Sequence, residues 1–303
     1  MVQVMIAILV TCHGTVESVD LLPAFLSNIR RGRPTPPHLV EEVRRRFEAI
    51  GGSPLMKTTR AQAHALAERL NVEVAVAARL WHPYPKEVLA DLVNKGIRKV
   101  VSLPLAPQSV HVYHEQVKAA AKDLPIELVE VPAWGNEPRL IDAFVETIDE
   151  ALAGLPESER LSTPIILTAH SLPQRIIDMG DPYERDFREM AGLVAARLAP
   201  RGHQTRIAFQ SQGATNDVWL GPDLTATFRA LAEGGARNVA VAPIGFVADH
   251  VETLYDLDIE AKAQAKEMGL TMVRAPALNV RPTFIDALAN VAKPALATSA
   301  ASQ

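Results

Sequence analysis

Cysteine is almost missing from this chain: its 303 residues contain one, Cys12. A single thiol excludes a disulfide framework within the chain and excludes a four-cysteine iron–sulfur cluster, and a reducing cytosol is the simplest compartment. An excess of one charge is missing too. Lys and Arg number 31 against 35 Asp and Glu, a formal net charge of −4, so no polyanion-binding field arises and nucleic acid is not an expected partner. The opening MVQVMIAILVTCHG is apolar, yet it has no positive leader region and no A-x-A cleavage site. Its run is too short to cross a bilayer. It reads as a first buried strand, and the chain as cytoplasmic, with no targeting or transmembrane segment.

Motif absences narrow the chemistry. No G-x-G-x-x-G follows the first strand and no G-x-x-x-x-G-K-[ST] occurs anywhere, so nucleotide cofactors lose support. Ser171 lacks the G-x-S-x-G elbow of a hydrolase nucleophile. His111, His114 and Glu115 fit neither H-E-x-x-H nor H-x-x-E-H, which leaves a zinc reading weak.

What is present begins with a core. The chain is 48% hydrophobic and 22% charged, as a globular protein with a sizeable interior should be. Runs rich in Val, Ile and Ala recur at Val4–Thr11, Glu73–Ala78, Lys99–Pro104, Ile126–Val131, Pro164–Ala169, Gln204–Phe209 and Val239–Phe246. Strands apolar along their whole length suit a parallel sheet covered on both faces. Helical patterns sit between them at Pro37–Ile50, Thr59–Leu70, Pro85–Lys95, Tyr113–Lys122, Arg139–Leu152 and Tyr183–Leu198. The alternation predicts an α/β fold of doubly wound type.

The two halves also echo each other. KGIRKVVSLPLAPQSVH and GGARNVAVAPIGFVADH pair Gly96 with Gly235, Pro104 with Pro243 and His111 with His250. VTCHG and LTAHS each place a His just past an apolar run. Two similar Rossmann-like domains are therefore expected, residues 1–156 and 157–303, joined near Gly154–Pro164, with the last helix able to pack back on the first domain. The closing ALATSAASQ reads as a frayed tail.

In an open α/β sheet the reactive crevice lies past the carboxyl ends of the strands. Cys12-His13, His170-Ser171 and the acids after Phe246 all fall there. Asp249, Glu252, Asp256, Asp258 and Glu260 would repel one another unless a cation, a proton or a salt partner relieves them. Glu252, Asp256 and Glu260, four apart, share one helix face, where like charges cost a few tenths of a kcal/mol per pair. Two readings stand. The stripe is a carboxylate path for a divalent cation, or it is a solvated face, with Asp249 and Glu252 forming a D-x-x-E helix cap. His170 likewise reads as a catalytic base or as a structural strand-end histidine. The Ile29–Arg33 cluster reads as a carboxylate clamp or a solvated turn, and Gly51–Pro54 as a flexible turn or an anion nest.

Longer stretches carry a resemblance. IRRGRPTPPHLVEEVRRRFEAIGGSPL, TRAQAHAL, LAPQSVHVYHEQ, LTAHSLP, GDPYERDF, FQSQGATNDVWLGPDL and PIGFVADHVETLYDLDIEAK span nearly the whole chain. Together they resemble the ferrochelatase family, class II chelatases that insert ferrous iron into a porphyrin, and are most similar to the short coproporphyrin-using type. The resemblance implies a chelatase-like fold, with His170 and Glu252 as catalytic, metal-handling residues. It places Asp256 and Glu260 on the metal path, and His13, Arg30, Arg46, Phe47, Ser53 and Tyr113 on the porphyrin. His13 departs from the pattern, since the coproporphyrin type has Tyr there.

It also implies that Fe2+ is a substrate, that no further cofactor and no iron–sulfur cluster is required, and that the enzyme is a monomer with transient contacts to neighbouring haem-pathway enzymes. Coproporphyrin III is the favoured ring; protoporphyrin IX, or a non-catalytic porphyrin- or haem-binding role, is the alternative. Metal binding to nitrogen ligands releases protons, so a nearby acceptor lowers the barrier. His170 and Glu252 on one side of the ring would strip water from the iron and take up the pyrrole protons.

Overall fold

The computed structural model describes residues 5–213 and 216–297. Val4 of the first expected strand, Ala214 and Thr215 of the FQSQGATNDVWLGPDL stretch, and residues 298–303 of the tail lie outside the described residues. The chain divides into two units. The first comprises Met1–Glu137 and Asn279–Gln303, the second Pro138–Leu278.

The first unit holds a parallel sheet of β1 (Ile6–Cys12), β2 (Glu73–Ala78), β3 (Lys99–Pro104) and β4 (Glu127–Glu130), in the order β2-β1-β3-β4. The second holds β5 (Ile165–His170), β6 (Thr205–Gln210), β7 (Asn238–Ala242) and β8 (Thr271–Arg274), in the order β6-β5-β7-β8. The echo between the halves is thus an identity of topology. Gly96 and Gly235, with φ of 86° and 87°, make the same left-handed turn out of a helix and into β3 and β7, a conformation glycine adopts without steric cost.

The apolar runs follow from position in the sheet. β1 pairs along its length with both β2 and β3, and β5 with both β6 and β7. Strands covered by helices on both faces bury every side chain, as Ala7–Val10 and Ile165–Leu167 do. The run expected over Val239–Phe246 stops at Ala242, because Pro243 has no N–H for a ladder and the chain turns at Ile244 and Gly245. β8, an edge strand of four residues reading TMVR, has too weak an apolar pattern to be recognised in the sequence.

The boundary falls at 137/138 rather than at 156/157. The helix Pro138–Ala153 packs against the helix Tyr183–Leu198 and against β7 and β8 of the second unit. Its buried residues Leu140, Ile141, Phe144, Ile148 and Leu152 recur at helical spacing, so one apolar stripe commits it to that core. The helix Pro282–Ala297 belongs to the first unit, where Phe284 stacks on Trp134 with ring centroids 6.3 Å apart.

Candidate active site

β5 ends on His170, and the helical segment starting at Val251 carries Glu252 in its first turn. Both side chains therefore come from the second unit, at the carboxyl end of its sheet. His170 Nδ1 lies 3.0 Å from Glu252 Oε2, and about a third of each side chain, 33% and 30%, remains accessible. Burial pushes the His170 imidazole down. The Glu252 carboxylate, through its charge and its hydrogen bond, and Asp256 through its charge, outweigh this and hold the imidazole above the ordinary histidine value.

The helix-cap reading of Glu252 fails. The cap is His250, whose backbone N–H donates to Thr253 Oγ1 at 3.0 Å, and Thr253 Oγ1 in turn donates to Asp249 Oδ1 at 3.1 Å. Glu252 is left to face His170. A second imidazole approaches it, His250 Nε2, at 3.9 Å from the same Oε2. His250 Nδ1 is 3.0 Å from the Ala248 carbonyl. A carbonyl only accepts, so Nδ1 carries the hydrogen in that contact. In the sequence His250 stands only as the counterpart of His111 in the internal echo, with no role of its own; DHVE, with imidazole and carboxylate two apart, is the available signal.

The acidic cluster separates into two groups. Arg274 forms a fork with Asp258, Nε to Oδ1 at 2.7 Å and Nη2 to Oδ2 at 2.8 Å, and reaches Asp249 Oδ1 from Nη1 at 3.2 Å. Those two acids have a salt partner, and bidentate pairing is among the strongest available to arginine. Glu252, Asp256 and Glu260 lie on the other group. Asp256 accepts from the Ser211 hydroxyl, and Ser211 is held at φ 59°, a left-handed conformation uncommon outside glycine.

The predicted helix is not uniformly α. Val251–Leu254 is α, Asp256–Ala261 is a π-helix, and Lys262–Glu267 is α again. In an α-helix each four-residue step overshoots a full turn by about 40°. The wider π turn, closed by Glu260 N–H to Tyr255 O at 3.0 Å, undershoots instead. The two deviations oppose each other, so the three positions stay near one line along the helix.

Gln210 ties this segment to the sheet. It accepts from Thr168 Oγ1 at 2.7 Å and donates from Nε2 to the Glu252 carbonyl at 3.0 Å. Gly245 allows the close approach of β5: a Cβ there would lie 2.5 Å from Ala169 Cβ. The Tyr183 hydroxyl donates to the His170 carbonyl at 2.8 Å. Polar groups on both sides of His170 are thus spoken for, which fixes the ring against Glu252.

The six other predicted site residues all lie in the first unit. His13 is exposed directly after β1, and Arg30 is exposed at the C-cap of the helix Leu22–Ile29. Arg46, on the helix Pro37–Ala49, pairs with Glu42 at 2.6 Å. Phe47 is 3% exposed and is a core residue of its unit rather than a surface contact. Aromatic bulk four residues past Val43 on an amphipathic helix faces inward. Ser53 follows Gly51 and Gly52, both at positive φ, and its hydroxyl is buried without a partner among the described residues. Tyr113 is half-buried on the helix Val110–Ala121.

The weak zinc reading is overturned. His114 is buried with Nδ1 2.9 Å from Ser102 Oγ and Nε2 2.9 Å from the Val131 carbonyl, a structural histidine whose pKa burial lowers. Ser171 is buried and donates to the Leu220 carbonyl. Among the described residues, no three of His, Cys, Asp and Glu converge as a metal cluster.

A doubled parallel α/β unit with a histidine–carboxylate pair at strand ends is of chelatase type in its fold. SirB from Bacillus subtilis, solved with Fe3+, aligns over 97% of each chain with a TM-score of 0.63 at 14% identity, a likeness of fold. The ferrochelatase family model matches residues 5–296. A ferrochelatase of Deinococcus radiodurans is 37% identical over 298 residues, covering 94% of each chain. A coproporphyrin III ferrochelatase of Geobacillus sp. is 38% identical over 299 residues, covering 94% of this chain and 96% of its own. The chain belongs to the ferrochelatase family.

Proposed function

We propose that this protein inserts Fe2+ into a porphyrin in haem biosynthesis, with coproporphyrin III as the preferred ring and the release of two protons. The observation that carries the reading is the His170–Glu252 contact of 3.0 Å at the end of β5. Nδ1 is committed to Glu252, which leaves Nε2 to receive a pyrrole proton. Glu252 holds the imidazolium that forms, and His250 Nε2 is the next acceptor along the chain. A positioned acid–base pair of this kind accelerates proton transfer by about 10²–10⁴.

Asp256 and Glu260, aligned by the π segment, deliver iron to Glu252 and His170. Oxygen donors replace the ion's water before the ring nitrogens do. In the first unit Arg30, Ser53 and Tyr113 offer donors to propionates, a guanidinium taking a carboxylate in bidentate fashion. Relatives named coproporphyrin III ferrochelatase support the four-carboxylate ring. No resident cofactor is invoked. The enzyme works in the cytoplasm as a monomer with transient pathway contacts; among the described residues no helix is long and apolar enough to cross a membrane. The exposed His13 favours a second reading, that the product haem is ligated there and carried.

The test is anaerobic insertion with Fe2+ and each porphyrin, on the wild type, His170→Ala and Glu252→Gln. Both variants should bind porphyrin and metallate it at least about a hundredfold more slowly. A wild type that binds haem tightly but metallates neither ring supports the carrier reading.

A further inference from the structure

β6 stands at an edge of its sheet, so among the described residues no strand lies beyond one side of its backbone. The register fixes which groups face outward. Ile165 N–H donates to the Gln204 carbonyl at 2.9 Å and Ser171 N–H to the Gln210 carbonyl at 2.7 Å, so even-numbered residues turn toward β5. In a parallel ladder the alternate residues direct N–H and C=O the other way, which sends those of Thr205, Ile207 and Phe209 outward. At Phe209 this outer edge is in use. Its N–H donates to the Pro222 carbonyl at 2.8 Å, and Asp223 bridges it in parallel sense. The edge therefore accepts an extended segment, and Thr205 and Ile207 continue the same edge below it.

Beside them runs a cleft of about 540 Å³ between the helices Tyr183–Leu198 and Leu224–Glu233. Ala191, Gly192 and Ala230 line it, so the walls leave the strand backbone within reach. Its charge has one sign. Arg188 and Arg206 line it and, among the described residues, no carboxylate does, in a chain of net charge −4. Arg188 is occupied by Glu184 at 2.7 Å. Arg206 is exposed and makes no ion pair among the described residues.

We propose that the outer edge of β6 docks an extended acidic segment of a partner protein, adding it as a fifth strand beside Thr205–Ile207 with a carboxylate against Arg206. Strand addition takes its affinity from main-chain hydrogen bonds and its specificity from side chains at alternate positions. The same charge argues against a second copy of this chain. Two β6 edges paired about a twofold axis would bring Arg206 towards its own copy, and like charges across a strand pair destabilise it.

The experiment titrates the full-length protein with a fluorescein-labelled short peptide alternating Val and Glu, with a Val–Lys peptide of equal length as control, by anisotropy. The Glu peptide should saturate and the Lys peptide should not. Arg206→Glu, confirmed folded by circular dichroism, should weaken the Glu peptide at least tenfold, admit the Lys peptide, and leave iron insertion unchanged. Exchange of the Thr205 and Ile207 amides should slow on adding the Glu peptide, while that of the inward Ala208 amide should not change. Absence of saturation, or equal binding by wild type and Arg206→Glu, overturns the proposal. So does a concentration-dependent dimer, seen by sedimentation, that protects those two amides without peptide.

Discussion

Replacing Glu252 by Gln keeps the shape of the side chain and removes its charge, which isolates what the carboxylate does for His170. At 3.0 Å two unit charges attract by roughly 1 kcal/mol at the dielectric of water and by about 6 kcal/mol at an effective value of 20. About a third of each side chain is exposed, so solvent screening draws the pair toward the lower figure. Without the Glu252 carboxylate, burial is opposed only by the charge of Asp256, and His170 in the variant must deprotonate at lower pH than in the wild type. The stability effect has a definite sign. A folded-state pKa raised above the unfolded value stabilises below the unfolded value of about 6.5, and the gain disappears as pH rises through the folded value.

Wild type should therefore exceed Glu252→Gln in stability on the acid side of neutrality, where the carboxylate is ionised, and the gap should close toward alkaline pH. Insertion should rise with pH as His170 becomes neutral, with the limb displaced to lower pH in the variant. Loss of the acceptor pair should reduce kcat by about 10²–10⁴, equivalent to roughly 3–5 kcal/mol of barrier. The assays are NMR titration of the His170 ring, urea unfolding across pH, and anaerobic insertion of Fe2+. A His170 midpoint identical in both proteins, or a kcat within twofold of wild type, would refute the reasoning.

Three further outcomes are expected. Asp256→Asn combined with Glu260→Gln should raise the apparent KM for Fe2+ and leave that for porphyrin unchanged; an unaltered metal dependence in steady-state assays returns the stripe to a solvated face. Arg30→Ala should raise the KM for coproporphyrin about tenfold or more, from a charge-assisted hydrogen bond of about 1.5–3 kcal/mol, and a KM unmoved on that ring removes Arg30 from the site. Gly245→Ala should destabilise by about 1–3 kcal/mol through overpacking, since its Cβ would meet Ala169 Cα at 2.7 Å. A lowered melting temperature with reduced insertion is the signature, because Ala169 precedes His170; unchanged unfolding curves contradict it.

The sequence by itself determined the strands and their class. Val-, Ile- and Ala-rich runs cannot be solvated, so IAILVTC and IILTAH had to become central strands of covered parallel sheets. The polar residues directly after them had to fall at the carboxyl ends. The echo of Gly96 and Gly235 carried the doubling, since a local backbone conformation is written in a local residue. Tertiary structure alone decided the rest. Whether Glu252 capped its helix or faced a histidine 82 positions away depended on Thr253 accepting the backbone N–H of the cap residue His250. Which acids were neutralised depended on Arg274, brought to them by β8, a strand too short and polar to read. The boundary at 137/138 and the burial of Phe47 likewise arose from packing across elements. Periodicity reports which face of an element is apolar; the partner that covers that face, or satisfies a charge on the other, is fixed only when distant segments meet.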